Sequence, residues 1–227
     1  MAGQMVQFRS NGGTDQGYLA RPESGSGPGV IVIQEWWGLV PHIKDVAGRF
    51  ARDGFVALAP DLYHGTATAE PDEAGKLMMA LDIDRAAKDL HGAVDYLLQQ
   101  DGVTGSKVGV IGFCMGGQLA LYAATVSPDQ VGAAADFYGI HPNVQPDFTR
   151  LRAPVLGSFA ERDESASPAV VGELEQAIRA QGVQTDFKSY PGTDHAFFNN
   201  ERPEVFNEAA AQDAWVRTLA FFRKHLR

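Results

Sequence analysis

The spacing of apolar positions changes character along this chain. Near the start, two short β segments are read at Met5 to Arg9 and Gln16 to Arg21, joined by Ser10-Asn11-Gly12-Gly13, the turn chemistry of an antiparallel hairpin. Pro22 to Pro28 then breaks the pattern. At this length its Gly, Ser and Pro content predicts a loop inside one domain rather than a boundary between two. Continuous apolar runs follow at Gly29 to Ile33, Phe55 to Ala59, Val108 to Ile111, Val131 to Tyr138 and Pro154 to Phe159, and Thr185 to Tyr190 reads as the last strand. Unbroken runs of this length fit strands covered on both faces. Between them, Ile43, Val46, Ala47, Phe50 and Ala51 fall on one helical face, as do Leu90, Ala93, Val94, Leu97 and Leu98. Ala211, Trp215, Leu219 and Phe222 predict a terminal helix. Repeated β-then-α units predict a doubly wound α/β fold with right-handed crossovers. The expectation is a mostly parallel sheet with an N-terminal antiparallel hairpin and helices on both faces, as one domain over residues 1–227. Pro60 to Glu73, polar and turn-rich, is either the rim or lid of a ligand crevice or an ordinary surface excursion.

Composition narrows the function classes. With 227 residues and 44% hydrophobic content the chain can bury a large core and is not disordered. Its single cysteine excludes an internal disulfide and any zinc site built from several thiolates, and suits a reducing compartment. Lys and Arg number 19 against 28 Asp and Glu, a net charge of −9 that repels phosphate backbones. No apolar run approaches the roughly 20 residues of a membrane helix, and Met1 to Gly13 has no signal-peptide layout. These features predict a cytoplasmic monomer with no nucleic-acid or membrane partner.

The sharpest chemical signal is Val108 to Gln118, an apolar strand running into Gly-x-Cys-x-Gly-Gly and then into a helix former run, Leu119 to Ala124. This is a nucleophile elbow with sulfur in place of the hydroxyl. The sharp turn requires Gly112 and Gly116 to lack side chains, and it presents Cys114 in a strained conformation at a helix N-terminus, which favours thiolate and a developing oxyanion. Such an elbow needs a base and a group to orient it, in the chain order nucleophile, acid, histidine. Phe159-Ala160-Glu161-Arg162-Asp163 places an acid after a strand, and Pro191-Gly192-Thr193-Asp194-His195 sets a histidine before the final helix. Cys114, Asp163 and His195 are the candidates. Glu161 and Glu164 compete for the role of the acid, and Asp194 reads as a turn residue. Among the other histidines, His42, His91 and His225 fall in predicted helices, while His64 and His141 lie in loops that can reach a substrate.

Gln34-Glu35-Trp36-Trp37-Gly38, Pro60-Asp61-Leu62-Tyr63, Gly112-Phe113-Cys114-Met115-Gly116-Gly117, Asp136-Phe137-Tyr138-Gly139 and His195-Ala196-Phe197 together resemble dienelactone hydrolase, the carboxymethylenebutenolidase family of α/β-hydrolases, from about residue 5 to 225. The resemblance implies an α/β-hydrolase fold. It also implies cleavage of an ester or lactone by a Cys-Asp-His triad through a thioester acyl-enzyme, without metal or organic cofactor. It gives Cys114 as nucleophile, His195 as base and then acid, and Asp163 as its orienter. Glu35 matches the family's glutamate, which contacts the resting thiol and yields to substrate. The backbone N–H groups of Trp36 and Met115 match the oxyanion hole. Trp37, Tyr138, Phe197 and Asn199 are expected at the substrate pocket, and Tyr138 is equally compatible with plain packing.

The departures from that pattern concern substrate. The family's carboxylate-binding arginine four residues after the catalytic histidine is Asn199 here, and no arginine lies between Gly54 and Asp84. With Trp36, Trp37, Met78, Met79, Phe197 and Phe198 this predicts a more apolar pocket and a less anionic substrate. Two alternatives stand beside it. Gly112 to Gln118 also fits the elbow of glutamine amidotransferases, although neither His195 nor His141 begins the His-x-Glu such enzymes carry. A redox-sensing or ligand-binding α/β domain would use the cysteine without a histidine partner.

Overall fold

The computed structural model describes residues 3–226; residues 1, 2 and 227, which the single-domain expectation and the N-terminal reading include, lie outside the described residues. Eight strands form one sheet: β1 (Gln4–Ser10), β2 (Gly13–Ala20), β3 (Gly27–Ile33), β4 (Val56–Pro60), β5 (Val103–Phe113), β6 (Val131–Phe137), β7 (Val155–Ala160) and β8 (Thr185–Tyr190), in the order β1-β2-β4-β3-β5-β6-β7-β8. β1 and β2 pair antiparallel, as do β2 and β4, and every other pairing is parallel. Asn11 at φ 48° and Gly12 at φ 74° make the hairpin turn, the left-handed pair that an Asn-Gly dipeptide supplies.

Six α-helices lie among the described residues, five of them between strands and the last after β8: α1 (Pro41–Arg52), α2 (Pro71–Ala80), α3 (Ile83–Leu98), α4 (Met115–Val126), α5 (Pro168–Arg179) and α6 (Glu208–His225). α1 and α6 cover one face, where Phe50, Phe55, Trp215 and Phe222 meet; α3, α4 and α5 cover the other, with Leu90, Leu97, Leu119 and Ile178. Central strands alternate between the two cores. In β3, Val30 and Val32 face the first, while Ile31 and Ile33 face the second. Truncating a fully buried core ring such as Phe50 to Ala should cost about 3–5 kcal/mol. No helix among the described residues is long and apolar enough to cross a membrane.

The chain leaves β3 toward β4 on one side, and the later strands β5 to β8 build out on the other. At such a switch the connections diverge and leave a crevice beyond the carboxyl ends of β3 and β5. Register pairs Ile33 with Gly112, so the loops that begin at Gln34 and Cys114 open side by side into it.

Candidate active site

The elbow after β5 is built as its glycines demand. Cys114 sits at φ 55° and ψ −127°, a left-handed-side conformation that costs a residue with a Cβ on the order of 1–3 kcal/mol. A Cβ on Gly112 would overlap the carbonyl of Gly116, and one on Gly116 would overlap the carbonyl of Gln34. The bend is locked by Cys114 N–H donating to Phe137 O at 3.1 Å and Gly117 N–H donating to Cys114 O at 2.9 Å. Met115 is the first residue of α4, so its N–H has no carbonyl to reach within the helix. Cys114 is half-buried and has no disulfide partner.

His195, in the loop after β8, stands between this thiol and Asp163. Its Nδ1 lies 2.6 Å from Asp163 Oδ2, and Cys114 lines the same pocket, near enough for its sulfur to bear on the charge of the imidazole. Asp163 is 3% exposed, and its other oxygen accepts the N–H groups of Ser165 and Ala166, each at 2.9 Å, so the carboxylate is held from both sides. Burial opposes charge on both groups, but their mutual contact outweighs it. His195 is raised to about 10 by its hydrogen bonds to Asp163 and Cys114 and by their charges, and Asp163 is lowered. The competing acids are used elsewhere. Glu161 accepts the Gly192 N–H, Asp194 forms a two-point ion pair with Arg162, and Glu164 is exposed.

Cys114 and His195 open onto a pocket of about 320 Å³ whose apolar walls are Trp36, Trp37, Met78, Ile140 and Pro142. Glu35, Ser165 and Arg202 supply its polar points. Several of the residues expected at this wall lie off it. Tyr138, Phe197, Phe198 and Asn199 are 0–3% exposed and lie behind it; Phe198 is packed against Phe113 and Phe137 in the core, and Met79 points to solvent at 53% exposure. Of the two loop histidines, neither lines the pocket. His141 is buried, its Nε2 3.2 Å from Met78 O and its Nδ1 accepting the Asn143 N–H, so it braces the wall rather than facing a substrate. His64 pairs with carboxylates away from the elbow. Arg202, seven positions beyond His195, went unforeseen because its approach depends on how residues 196–206 coil, which no periodicity encodes.

Glu35 is 1% exposed, and Oε2 accepts from Asn199 Nδ2 at 2.8 Å, while Oε1 has no hydrogen-bond partner among the described residues. No hydrogen bond joins it to Cys114 among them. Burial raises its pKa; the Asn199 bond and the nearby charges of His195 and Arg202 work the other way. Asn199 thus clamps a buried carboxylate, and it lines the adjoining hollow that shares Trp37 and Arg202 with this pocket. Tyr138 packs its ring 5.0 Å from that of His195, and its buried hydroxyl has no hydrogen-bond partner among the described residues. Burial, with Glu35 and Cys114 adding to it, pushes the Tyr138 phenol well above its usual value and keeps it neutral.

Residues 16–226 match the model of the dienelactone hydrolase family. The chain is 41% identical over 230 residues to a protein named usf from Aquifex pyrophilus, covering 99% of both chains. It is 36% identical over 231 residues to a protein of Aquifex aeolicus named "Putative carboxymethylenebutenolidase", covering 99% of this chain and 100% of that one. Among solved structures, one titled as a "Putative Dienelactone Hydrolase" from Klebsiella pneumoniae superposes with a TM-score of 0.87 at 30% identity, over 99% of this chain and 100% of the other. The amidotransferase and redox-sensor alternatives find no support among these.

Proposed function

This chain belongs to the dienelactone hydrolase family, whose members are ester and lactone hydrolases of α/β-hydrolase fold, and from that premise we propose that it cleaves its substrate through a thioester on Cys114. The Cys114 sulfur attacks the carbonyl carbon while His195 takes the thiol proton. With its pKa raised to about 10 beside Cys114 and Asp163, the imidazole keeps the proton it takes from the thiol, so the sulfur attacks as a thiolate paired with imidazolium. The oxyanion that forms is held by the N–H groups of Trp36 and Met115, the second of which points out of the first turn of α4. The carbon–oxygen bond of the leaving alkoxide breaks, and that oxygen collects the proton from His195. In a lactone the released alcohol stays tethered to the acyl group. Water, deprotonated by His195, then attacks the thioester and restores the thiol.

Asp163 fixes the imidazole with Nδ1 as donor, which leaves Nε2 for the sulfur. Glu35, buried in the pocket wall and held by Asn199, is the residue placed to regulate the thiol, since its charged form opposes a second negative charge beside it. The substrate class that fits is a small ester or lactone with little negative charge. The walls are indole, thioether and aliphatic, and the one guanidinium lining the pocket among the described residues, that of Arg202, has its Nε engaged by Glu204 at 2.9 Å.

The observation that carries this reading is the chain of contacts Cys114 to His195 to Asp163 at the floor of an apolar pocket. It is tested by mixing the intact chain with a slowly deacylating aryl ester and measuring the quenched protein by mass spectrometry. An added acyl mass on the peptide containing Cys114, removed by hydroxylamine, is expected. Steady turnover with no acylated Cys114 peptide, under conditions where burst kinetics demand one, would overturn it.

A further inference from the structure

A second cluster of ionisable groups lies where β2, the loop after β4 and α3 meet, and none of its residues lines the pocket of Cys114. Asp15 comes from β2, His64 from the loop and Asp89 from α3. His64 Nδ1 is 2.9 Å from Asp15 Oδ1, and Nε2 is 3.3 Å from Asp89 Oδ2. One donor atom from each of the three residues lies within 4.8 Å of the others. Both carboxylates are deeply buried, Asp15 at 8% and Asp89 at 2% exposure.

Asp89 gives the site its second, independent mark. Its Oδ1 accepts the Ser10 hydroxyl at 2.7 Å, but the buried Oδ2 receives no hydrogen bond among the described residues. His64 Nε2 at 3.3 Å and Arg85 Nε at 3.7 Å stand within ion-pair range of it without hydrogen-bond alignment. A carboxylate oxygen removed from water and left unbonded is costly, and a cation beside it removes that cost.

The surroundings are also built to hold these groups in place. The Asp61 carboxylate accepts the N–H groups of Tyr63 at 3.2 Å and Gly65 at 2.7 Å and the Gln16 amide at 3.0 Å, which ties the turn carrying His64 to β2. Supporting hydrogen bonds of this kind fix the ligands of metal centres.

We propose that Asp15, His64 and Asp89 form a three-ligand site for a divalent first-row transition-metal ion, zinc above all, with water completing its coordination. One imidazole nitrogen among the donors favours such an ion over magnesium or calcium, which prefer all-oxygen shells. His64, with its side chain 31% exposed, gives the ion a way in from solvent. Bound there, the ion ties β2, α3 and the loop to one centre. The neighbouring Tyr63 donates its hydroxyl to Met115 Sδ at 3.3 Å, so the bracing extends to the residue beside the elbow. The role is structural and independent of the reaction proposed for Cys114.

The test uses the full chain carrying Cys114→Ser, which removes the thiol as a competing ligand, stripped with chelator and titrated with Zn²⁺ by calorimetry and with Co²⁺ by visible spectroscopy. One ion per chain is expected, with cobalt bands of a mixed nitrogen–oxygen shell. His64→Gln and Asp89→Asn in the same background should each weaken binding by more than the roughly 10–100-fold that loss of a supporting hydrogen bond costs. In the otherwise native chain, His64→Gln should retain ester turnover, which shows that it folds. Absence of stoichiometric uptake, the result if His64 is merely an imidazolium between two acids, overturns the proposal, as does uptake that survives both substitutions.

Discussion

Two histidines in this molecule hold a buried carboxylate against Nδ1, His195 on Asp163 at 2.6 Å and His64 on Asp15 at 2.9 Å, and they differ in what stands at the other side of the ring. For His195 it is the sulfur of Cys114, at a helix N-terminus and a pocket floor. For His64 it is a second carboxylate, Asp89. A histidine–aspartate pair is therefore not in itself a catalytic unit. In the proposed mechanism, Asp163 raises the basicity of an imidazole that has a weak acid to deprotonate and space for a reacting carbonyl. Asp15 and Asp89 surround theirs with negative charge and leave nothing to attack. On the proposed mechanism, what separates the two histidines is the partner of the second nitrogen and the cavity beside it.

The strongest way to break that distinction is to remove the partner. Cys114→Ala should lower ester turnover by roughly 10⁴-fold or more, as loss of a nucleophile does in comparable triads, with the thermal midpoint little changed. Steady-state assays on a chromogenic ester measure the first, and scanning calorimetry the second. Next in size, Asp163→Asn should lower kcat by roughly 10²–10⁴-fold, because the amide no longer selects the tautomer that leaves Nε2 for the sulfur. Asp15→Asn, which alters the matching contact at His64, should leave kcat where it is. Equal losses from the two substitutions would erase the contrast between the sites.

The sequence made the elbow legible because sterics leave it little freedom. Gly112, Gly116 and the helix behind Cys114 are required by close backbone approach, and backbone approach is local in sequence. The central strands were legible for a related reason, since runs such as Gly29 to Ile33 are buried on both faces and show it as unbroken apolar stretches, whereas the hairpin of β1 and β2 was legible from its Asn-Gly turn. Boundaries were less so. β5 starts at Val103 rather than Val108 because its polar first half still pairs with β3. What stayed hidden was set by side-chain direction in irregular segments. Met78 faces the pocket while Met79 faces water, Asn199 turns inward to Glu35, and Arg202 comes back to the wall from a coil. The His64 cluster was hidden for another reason: Asp15, His64 and Asp89 are far apart along the chain, and each alone reads as an ordinary polar residue.

A smaller effect sharpens the comparison through pH. His195 is raised in the fold from 6.5 to about 10, so its contribution to stability is complete below about pH 6.5 and is lost as pH rises through about 10. Asp163 is lowered from 3.8, so its share is present above that value and is lost as pH falls through its folded pKa. The stability difference between the native chain and His195→Gln, from urea unfolding, should therefore be largest near pH 5–6 and shrink steadily toward pH 10. A difference that grew with pH would mean that the imidazole is neutral in the fold and that the sulfur and Asp163 do not hold its proton.

The smallest expected effect lies at Arg202 and decides what the pocket admits. Its side chain is 34% exposed, its Nε is engaged by Glu204, and its charge also faces the buried Glu35. A guanidinium so exposed and already partnered adds no more than the 0.2–1 kcal/mol typical of exposed ion pairs. Arg202→Gln should thus raise KM for a lactone bearing a carboxylate by about fivefold at most and leave KM for a neutral aryl ester unchanged, with kcat for both preserved. The native chain should favour the neutral ester in kcat/KM. A loss approaching 100-fold confined to the anionic lactone would instead make Arg202 a true carboxylate clamp, reached from a different position on the loop after His195, and would reverse the reading of the pocket as one for weakly charged substrates.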